Sequence, residues 1–256
     1  MSPSRRLQAL VTGASRGIGA AIACRLAAQG VRVALHYRQD RTSAEALRAS
    51  LPGADHATFA ADLGETDAAE ALFRAVLADF GSPDILVNNA GIYEDHPIAQ
   101  PDTTFALWSY LWERTLAANL VAPAHLSFLA ARAMQTRGGG GRIVNISSRG
   151  AFRGEPRAPA YGASKAGLNA LGQSLARALA PEGIYVFTVA PGWVATDMAR
   201  DHLSGARGEE ILRDIPLGRA AEADEIARLA CWLALEAPAA MTGCIVDANG
   251  ASYLRT

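Results

Sequence analysis

The stretch TGASRGIG, Thr12 to Gly19, decides how the rest of the sequence is read. It follows a short apolar run, LQALV, and opens a segment, GIGAAIACRLAAQG, whose apolar residues recur at helical spacing. A glycine-rich turn between a strand and a helix is the setting in which backbone can wrap an anion. Gly13 lets the chain turn tightly, while Gly17 and Gly19 leave room for a pyrophosphate attracted by the free N–H groups of a helix N-terminus. The spacing is G-x-x-x-G-x-G, not G-x-G-x-x-G, so the turn alone would equally serve as a tight strand-to-helix connection.

The same alternation continues outward. The runs VRVALHY, HATFAAD, DILVNNA, GRIVNISS, IYVFTVAP and GCIVDANG lie between helical stretches such as DAAEALFRAVLADFG; with LQALVTG they predict seven strands. Several are apolar almost throughout, as strands buried on both faces must be. The expected fold is therefore α/β, a Rossmann-type doubly wound sheet of about seven parallel strands with helices on both faces and ligands outside the carboxyl ends of the strands. No internal repeat and no Pro/Ser linker interrupts the pattern, so residues 1–256 are expected to form a single domain. The run Gly138 to Gly141 reads as a surface connection between a helix and a strand.

Half of the residues are hydrophobic and the formal net charge is −1, which supplies a large core and no basic field for nucleic acid or an anionic membrane. The amino terminus, MSPSRRLQALVTG, offers too short an apolar run for a signal peptide or a membrane span, and a cytoplasmic location is expected. Cys24, Cys231 and Cys244 are scattered without metal-ligand or disulfide spacing; they read as packing residues, and no metal site is expected.

The second strand ends at Tyr37 and Arg38, about 20 residues past the glycine turn, where a dinucleotide fold selects its cofactor. No acid stands there to hold a ribose 2′-hydroxyl. Arg16 and Arg38 can instead fork around a 2′-phosphate, which favours NADP(H) over NAD(H). A solvated Arg38, among Arg41 and Arg48, is the competing reading. Asp62 and Leu63 close the third strand, where the acid can accept from an adenine amino group or cap a helix.

Taken in order, TGASRGIG, NNAG (Asn88 to Gly91), Asn119, NISS ending at Ser148, YGASK (Tyr161 to Lys165) and PG (Pro191 and Gly192) resemble the compact short-chain dehydrogenase/reductases, from Leu7 to about Gly250. The resemblance implies a catalytic tetrad of Asn119, Ser148, Tyr161 and Lys165. It also implies cofactor contacts from Gly13, Ser15, Arg16, Gly17, Ile18, Gly19, Arg38, Asp62, Leu63, Asn89, Ala90, Gly91, Tyr161, Lys165, Pro191 and Gly192. Val194 would contribute through its backbone and Thr196 through its hydroxyl, although Thr196 could equally cap a helix beginning at DMARDHL. Ser148 lies 13 residues before Tyr161, as such enzymes require, whereas Ser147 would point to the other face of a strand.

The chemistry of these residue types is consistent with that reading. A tyrosine of reference pKa about 10 exchanges protons poorly at neutral pH, so a nearby ammonium is expected to favour its phenolate. Lys165 is the only lysine beside 23 arginines, and four residues from Tyr161 it shares a helix face with it. A compact ammonium can bond ribose hydroxyls and pass a proton on; a guanidinium stays charged. Ser148 would hold the substrate oxygen and Asn119 would order water or backbone along a proton path to Lys165. The implied reaction is hydride transfer to a ketone with Tyr161 as proton donor, or its reverse. The alternative, a non-catalytic NADP(H)-binding sensor or scaffold, predicts a damaged tetrad.

Among such enzymes, 3-oxoacyl-[acyl-carrier-protein] reductases share TGASRGIG, NNAG and an IPLGR…EIA stretch like Ile215 to Ala227, which implies a small-molecule or thioester carbonyl substrate and a homotetramer or homodimer. The positions aligned with their carrier-docking basic residues hold Gly139 and Glu182. Arg149, Arg153 and Arg157, in SRGAFRGEPRAPAY, either receive an anionic partner or line a solvated loop. The long stretch before Asn119 brings Trp108, Tyr110 and Trp112, as a core or interface cluster or as a lid.

Overall fold

In a computed structural model, which describes residues 5–255, the apolar runs pair into one seven-stranded sheet. Part of the amino-terminal reading above falls on residues 1–4, which lie outside the described residues. The strands are β1 Gln8–Val11, β2 Arg32–Tyr37, β3 Ala57–Ala60, β4 Ile85–Asn88, β5 Gly141–Ile146, β6 Ile184–Pro191 and β7 Ile245–Ala248. Their spatial order is β3-β2-β1-β4-β5-β6-β7 and every pairing is parallel. The chain therefore runs outward from β1 to β3, then returns to the other side of β1 at β4. At that reversal the helices that follow β1 and β4 pack on opposite faces of the sheet, and a crevice lies at the carboxyl ends of the strands. Asp62 and Leu63 follow the last residue of β3 by two and three positions, so they belong to the loop entering this crevice, not to the strand.

Parallel strands need crossovers, and helices supply them: α1 Gly17–Ala28, α2 Arg41–Ser50, α3 Ala68–Asp79, α4 Phe105–Leu116, α5 Ala122–Arg137, α6 Gly150–Arg153, α7 Pro159–Leu179, α8 Asp197–Arg200, α9 Gly205–Arg213 and α10 Ala223–Leu235. Successive strand residues point to opposite faces, which builds two cores. Val11, Val87, Val144 and Phe187 pack with Ile22 and Leu26 of α1 and Ile226 and Leu233 of α10. Their immediate neighbours Leu10, Leu86, Ile143 and Val186 pack on the other face with Phe73, Leu126, Met134 and Leu179 of α3, α5 and α7. Each such side chain contributes about 1.5–3 kcal/mol by leaving water, so a near-continuous apolar strand is stabilised from both sides.

The glycine run is a surface connection between α5 and β5, and its sequence is dictated by geometry as well as exposure. Gly138, Gly139 and Gly140 all have positive φ, and a Cβ on Gly140 would lie 2.3 Å from the Gly183 carbonyl oxygen. Among the described residues no helix is long and apolar enough to cross a membrane, no cluster of potential metal ligands forms, and Cys24, Cys231 and Cys244 are free thiols.

Candidate active site

The crevice begins where β1 and β4 end side by side. Thr12, just past β1, is buried; its Oγ1 donates to the Val87 carbonyl at 3.2 Å and accepts from the amides of Asn89 and Ala90 at 2.9 and 3.0 Å. Asn89 returns the bond, donating through Nδ2 to the carbonyls of Thr12 and Gly13 at 2.8 and 3.1 Å. The glycine turn and the NNAG turn are thus stitched into one unit. Gly13 and Gly17 adopt φ of +63° and +57°, and a Cβ on Gly19 would sit 2.2 Å from the Gly13 carbonyl oxygen. The three glycines are required for two reasons: Gly13 and Gly17 by conformation, Gly19 by contact.

His36, at the end of β2, has no place in the sequence-based assignment and yet anchors this turn. Its Nδ1 accepts the Gly13 amide at 3.1 Å, and the opposite nitrogen donates to the Ala61 carbonyl at 3.0 Å. The ring is neutral in that arrangement, and burial lowers its pKa. The available signal was a histidine one residue inside a strand end that faces the glycine turn.

Helix α1 opens at Gly17 without a side-chain cap, which leaves its first N–H groups directed at the crevice. Arg16 and Arg38 are exposed on its rim, and among the described residues neither guanidinium makes a hydrogen bond or a salt bridge; Arg16 feels the more distant carboxylate of Asp40. Asp62 accepts the Gly64 amide at 3.0 Å, forming a short turn; α3 starts later, after Asp67, so Asp62 does not cap it. An open helix N-terminus, two glycines that clear the approach and two unpaired guanidinium groups fit the pyrophosphate and 2′-phosphate of NADP(H).

At the other end of the cleft, Asn119 lies in one π turn, Ala117–Val121, wedged between α4 and α5. This wider turn carries the buried carboxamide to the loop after β4, where Oδ1 accepts the Ile92 amide at 2.8 Å. Its Nδ2 donates to the Ile92 carbonyl at 3.0 Å and to Ser164 Oγ at 3.2 Å. Ser148, past the end of β5, accepts the Gly150 amide on Oγ at 3.0 Å, and its hydroxyl acts on the Tyr161 phenol so as to favour the phenolate. Ser147 is turned away, donating to the Lys165 carbonyl at 3.3 Å. Helix α7, begun by Pro159, carries Tyr161 and Lys165 on one face; Lys165 Nζ donates to the Ile146 carbonyl at 2.9 Å and stands 5.6 Å from the Tyr161 ring centre. A side chain on Gly91 would meet Asn119 Oδ1 at 3.3 Å and Lys165 Nζ at 3.5 Å, so glycine there keeps the three elements in register.

Burial governs the two titrating groups. It pushes Tyr161 up to about 12, against the pull of the Ser148 hydrogen bond and with added repulsion from Glu155. It also brings Lys165 down to about 8. The ammonium was expected to favour the phenolate; desolvation instead dominates the phenol's shift, and Nζ is bonded to the Ile146 carbonyl and stands over the ring of Tyr161. The consequence is a phenol that keeps its proton at neutral pH and a lysine whose proton is mobile near pH 8.

One cleft of about 500 Å³ joins these ends, and every residue expected above as a site member borders it except Gly19 and Asn119, which lie behind it as supports. Thr196 occupies the cap position of α8 but donates to the Val194 carbonyl at 3.4 Å, so the capping alternative is not realised. On the substrate side, Tyr93 meets the Tyr161 ring edge-on at 4.9 Å, His202 lies 5.3 Å from Tyr93, and Trp193 lies 5.7 Å from His202. These rings come from loops far apart in sequence, which hid their convergence. The residues weighed as a lid do not reach the cleft: Trp108 packs on His96 and Trp112 at 5.4 and 5.8 Å, and Tyr110 lies on the exposed face of α4. Arg157 is paired with Asp95, Arg153 is exposed, and Arg149 is buried at the cleft.

A family model described as enoyl-(acyl carrier protein) reductase matches residues 13–250. The 3-oxoacyl-[acyl-carrier-protein] reductase FabG of Staphylococcus aureus is 37% identical over 248 residues, covering 96% of this chain and 98% of the relative. The FabG of Haemophilus influenzae is 37% identical over 246 residues, with 96% and 98% covered. A 3-oxoacyl-[acyl-carrier-protein] reductase of Synechocystis is 36% identical over 247 residues, with 94% and 95% covered.

Proposed function

The chain belongs to the short-chain dehydrogenase/reductase family, and from that premise we propose that it reduces a ketone to a secondary alcohol with NADPH, or runs the reverse reaction. The observation that carries this reading is the partly buried pair Ser148 and Tyr161, with buried Lys165 on the same face of α7, in one cleft with Arg16 and Arg38.

The residues that would hold NADPH are the glycine turn and the first turn of α1, Arg16 and Arg38 at the 2′-phosphate, Asp62 and Leu63 at the adenine, the NNAG turn, and Pro191 to Thr196. When bound, NADPH supplies the hydride. Ser148 binds the carbonyl oxygen, Tyr161 gives its proton to the oxygen as charge develops there, and Lys165 replaces that proton. A phenol near 12 suits an acid that must not lose its proton before the alkoxide forms. Asn119 fixes Ile92 and, through it, the NNAG wall.

The relatives are named for 3-oxoacyl groups on a carrier protein, and a 3-oxoacyl thioester is accordingly the first substrate class to test. Gly139 and Glu182 stand where carrier-docking basic residues are expected, which supports a small thioester or ketone over a carrier-borne one. The four-residue Tyr161–Lys165 spacing favours ketone over enoyl reduction. The intact set Asn119, Ser148, Tyr161 and Lys165 argues against a purely sensory protein. We place the enzyme in the cytoplasm as one domain over residues 1–256 and as a homodimer or homotetramer, a reading supported by exposed Phe105, Tyr110 and Phe128 on α4 and α5.

The test is NADPH consumption across 3-oxoacyl thioesters, 3-oxoesters and simple ketones, with NADPH and NADH affinities measured by fluorescence in the wild type and in Arg38→Ala. Turnover of at least one carbonyl class is expected, together with about a tenfold weaker affinity for NADPH in the variant and an NADH affinity changed less than about twofold. Equal losses for both cofactors would reject the phosphate fork.

A further inference from the structure

Between Ser148 and Tyr161 in sequence stands one acid, Glu155, and its seat is built from glycine. A Cβ on Gly150 would lie 2.4 Å from Glu155 Oε1, and one on Gly162 would lie 3.4 Å from the Glu155 amide nitrogen. Gly150 donates to Ser148 Oγ, and Gly162 follows Tyr161, so the segment bearing this carboxylate packs against the neighbours of both reacting residues. Glu155 borders the same cleft as they do. Its backbone carbonyl accepts the Ala158 amide at 3.0 Å, but among the described residues its carboxylate makes no hydrogen bond and no salt bridge; Arg149 and Arg153 act on it only from farther off, and Asp95 repels it. Partial burial raises its pKa, so a hydrogen-bond donor entering the cleft would stabilise the carboxylate form.

The cleft tells what kind of donor fits. Arg149 and Arg153 already act on Glu155 with positive charge from a distance, which disfavours an ammonium group, while Glu155 itself repels a carboxylate. A neutral hydroxyl meets neither objection. The rings of Tyr93, His202 and Trp193 give the cleft an apolar wall for the carbon skeleton that bears it.

We infer that Glu155 is a specificity-determining residue: its carboxylate accepts a hydrogen bond from a hydroxyl group that the substrate carries close to the ketone, so the enzyme selects hydroxyketones from plain ketones of the same length. The inference rests on the ketone-reduction reading and narrows it to one class of substrate.

Two nearly isosteric pairs test it: 4-hydroxy-2-butanone against 2-pentanone, and hydroxyacetone against 2-butanone. The readout is the ratio of kcat/KM within each pair, for each enzyme form. The wild type should prefer the hydroxylated member of at least one pair by about tenfold or more, the scale of a hydrogen bond to a charged acceptor. Glu155→Leu should bring that ratio to within about twofold, and Glu155→Gln, which keeps a carbonyl acceptor, should fall between. If the leucine variant does not fold, the glutamine variant decides: a ratio cut at least threefold supports the assignment and an unchanged ratio overturns it. A wild type indifferent to the hydroxyl, or a leucine variant that keeps the preference, also overturns it. If no ketone at all is reduced, the ketone-reduction reading fails separately. Hydroxyl recognition is then judged by ligand-observed NMR titration of the same pairs with NADP⁺ present, where equal affinities in wild type and Glu155→Leu reject it.

Discussion

At the scale of the residue, Lys165 shows why one lysine stands in a chain otherwise supplied with arginine. Its Nζ fits beneath Tyr161 with a single backbone acceptor, and burial brings its pKa to about 8, a range in which a guanidinium would not titrate. The lowered value has a stability cost with a definite sign. Between the folded value near 8 and the ordinary value near 10.5, the unfolded chain holds the extra proton, so this residue makes stability rise with pH across that window; below about pH 8 its penalty is fully present, on the order of 3 kcal/mol. Replacing the charge by an apolar chain of similar length removes the penalty. Lys165→Met should therefore gain stability relative to wild type most strongly at pH 7, and the advantage should shrink by pH 10, as read from urea midpoints at the two pH values. An advantage independent of pH would mean that Lys165 is not buried as an ammonium. The identity and spacing of Tyr161 and Lys165 were legible in the sequence, but the direction of the phenol's shift was not, because it depends on a desolvation that only the packed pocket reveals.

At the scale of the element, the strand–turn–helix unit from β1 to α1 was the most readable part of the chain, since apolar run, glycines and helical period all agree there. Its contacts were less so. Nothing in the run AANLV distinguishes the π turn that carries Asn119 from an uninterrupted α-helix, and the bond from His36 to Gly13 crosses from β2 to the turn after β1. Gly19 separates conformation from contact: its φ is ordinary, yet a methyl group there would collide with the Gly13 carbonyl. Gly19→Ala should therefore push the turn apart and weaken NADPH binding by about a hundredfold, measured by fluorescence titration, while the far-UV circular dichroism of the folded chain is retained. Binding within threefold of wild type would show that the turn does not hold the pyrophosphate.

At the scale of the whole molecule, the alternation of apolar strands and helical segments predicted the seven-stranded parallel sheet, and the sheet order explains why distant motifs meet: the reversal between β1 and β4 sets the glycine turn, the NNAG turn and the ends of β5 and β6 around one cleft. Loops closing that cleft resisted prediction, because Tyr93, Glu155, Trp193 and His202 have neither periodicity nor motif and are brought together only by the sheet. The cleft is claimed to be a ketone-reducing site in which hydride arrives with NADPH and the proton comes from Tyr161. The most direct measurement compares wild type and Tyr161→Phe for NADPH oxidation coupled to alcohol formation on the best carbonyl substrate, with NADPH affinity determined in parallel. The expected result is one alcohol formed per NADPH consumed in the wild type, and a loss of about a hundredfold or more in kcat for the variant at nearly unchanged NADPH affinity. A variant that turns over at the wild-type rate would contradict the account.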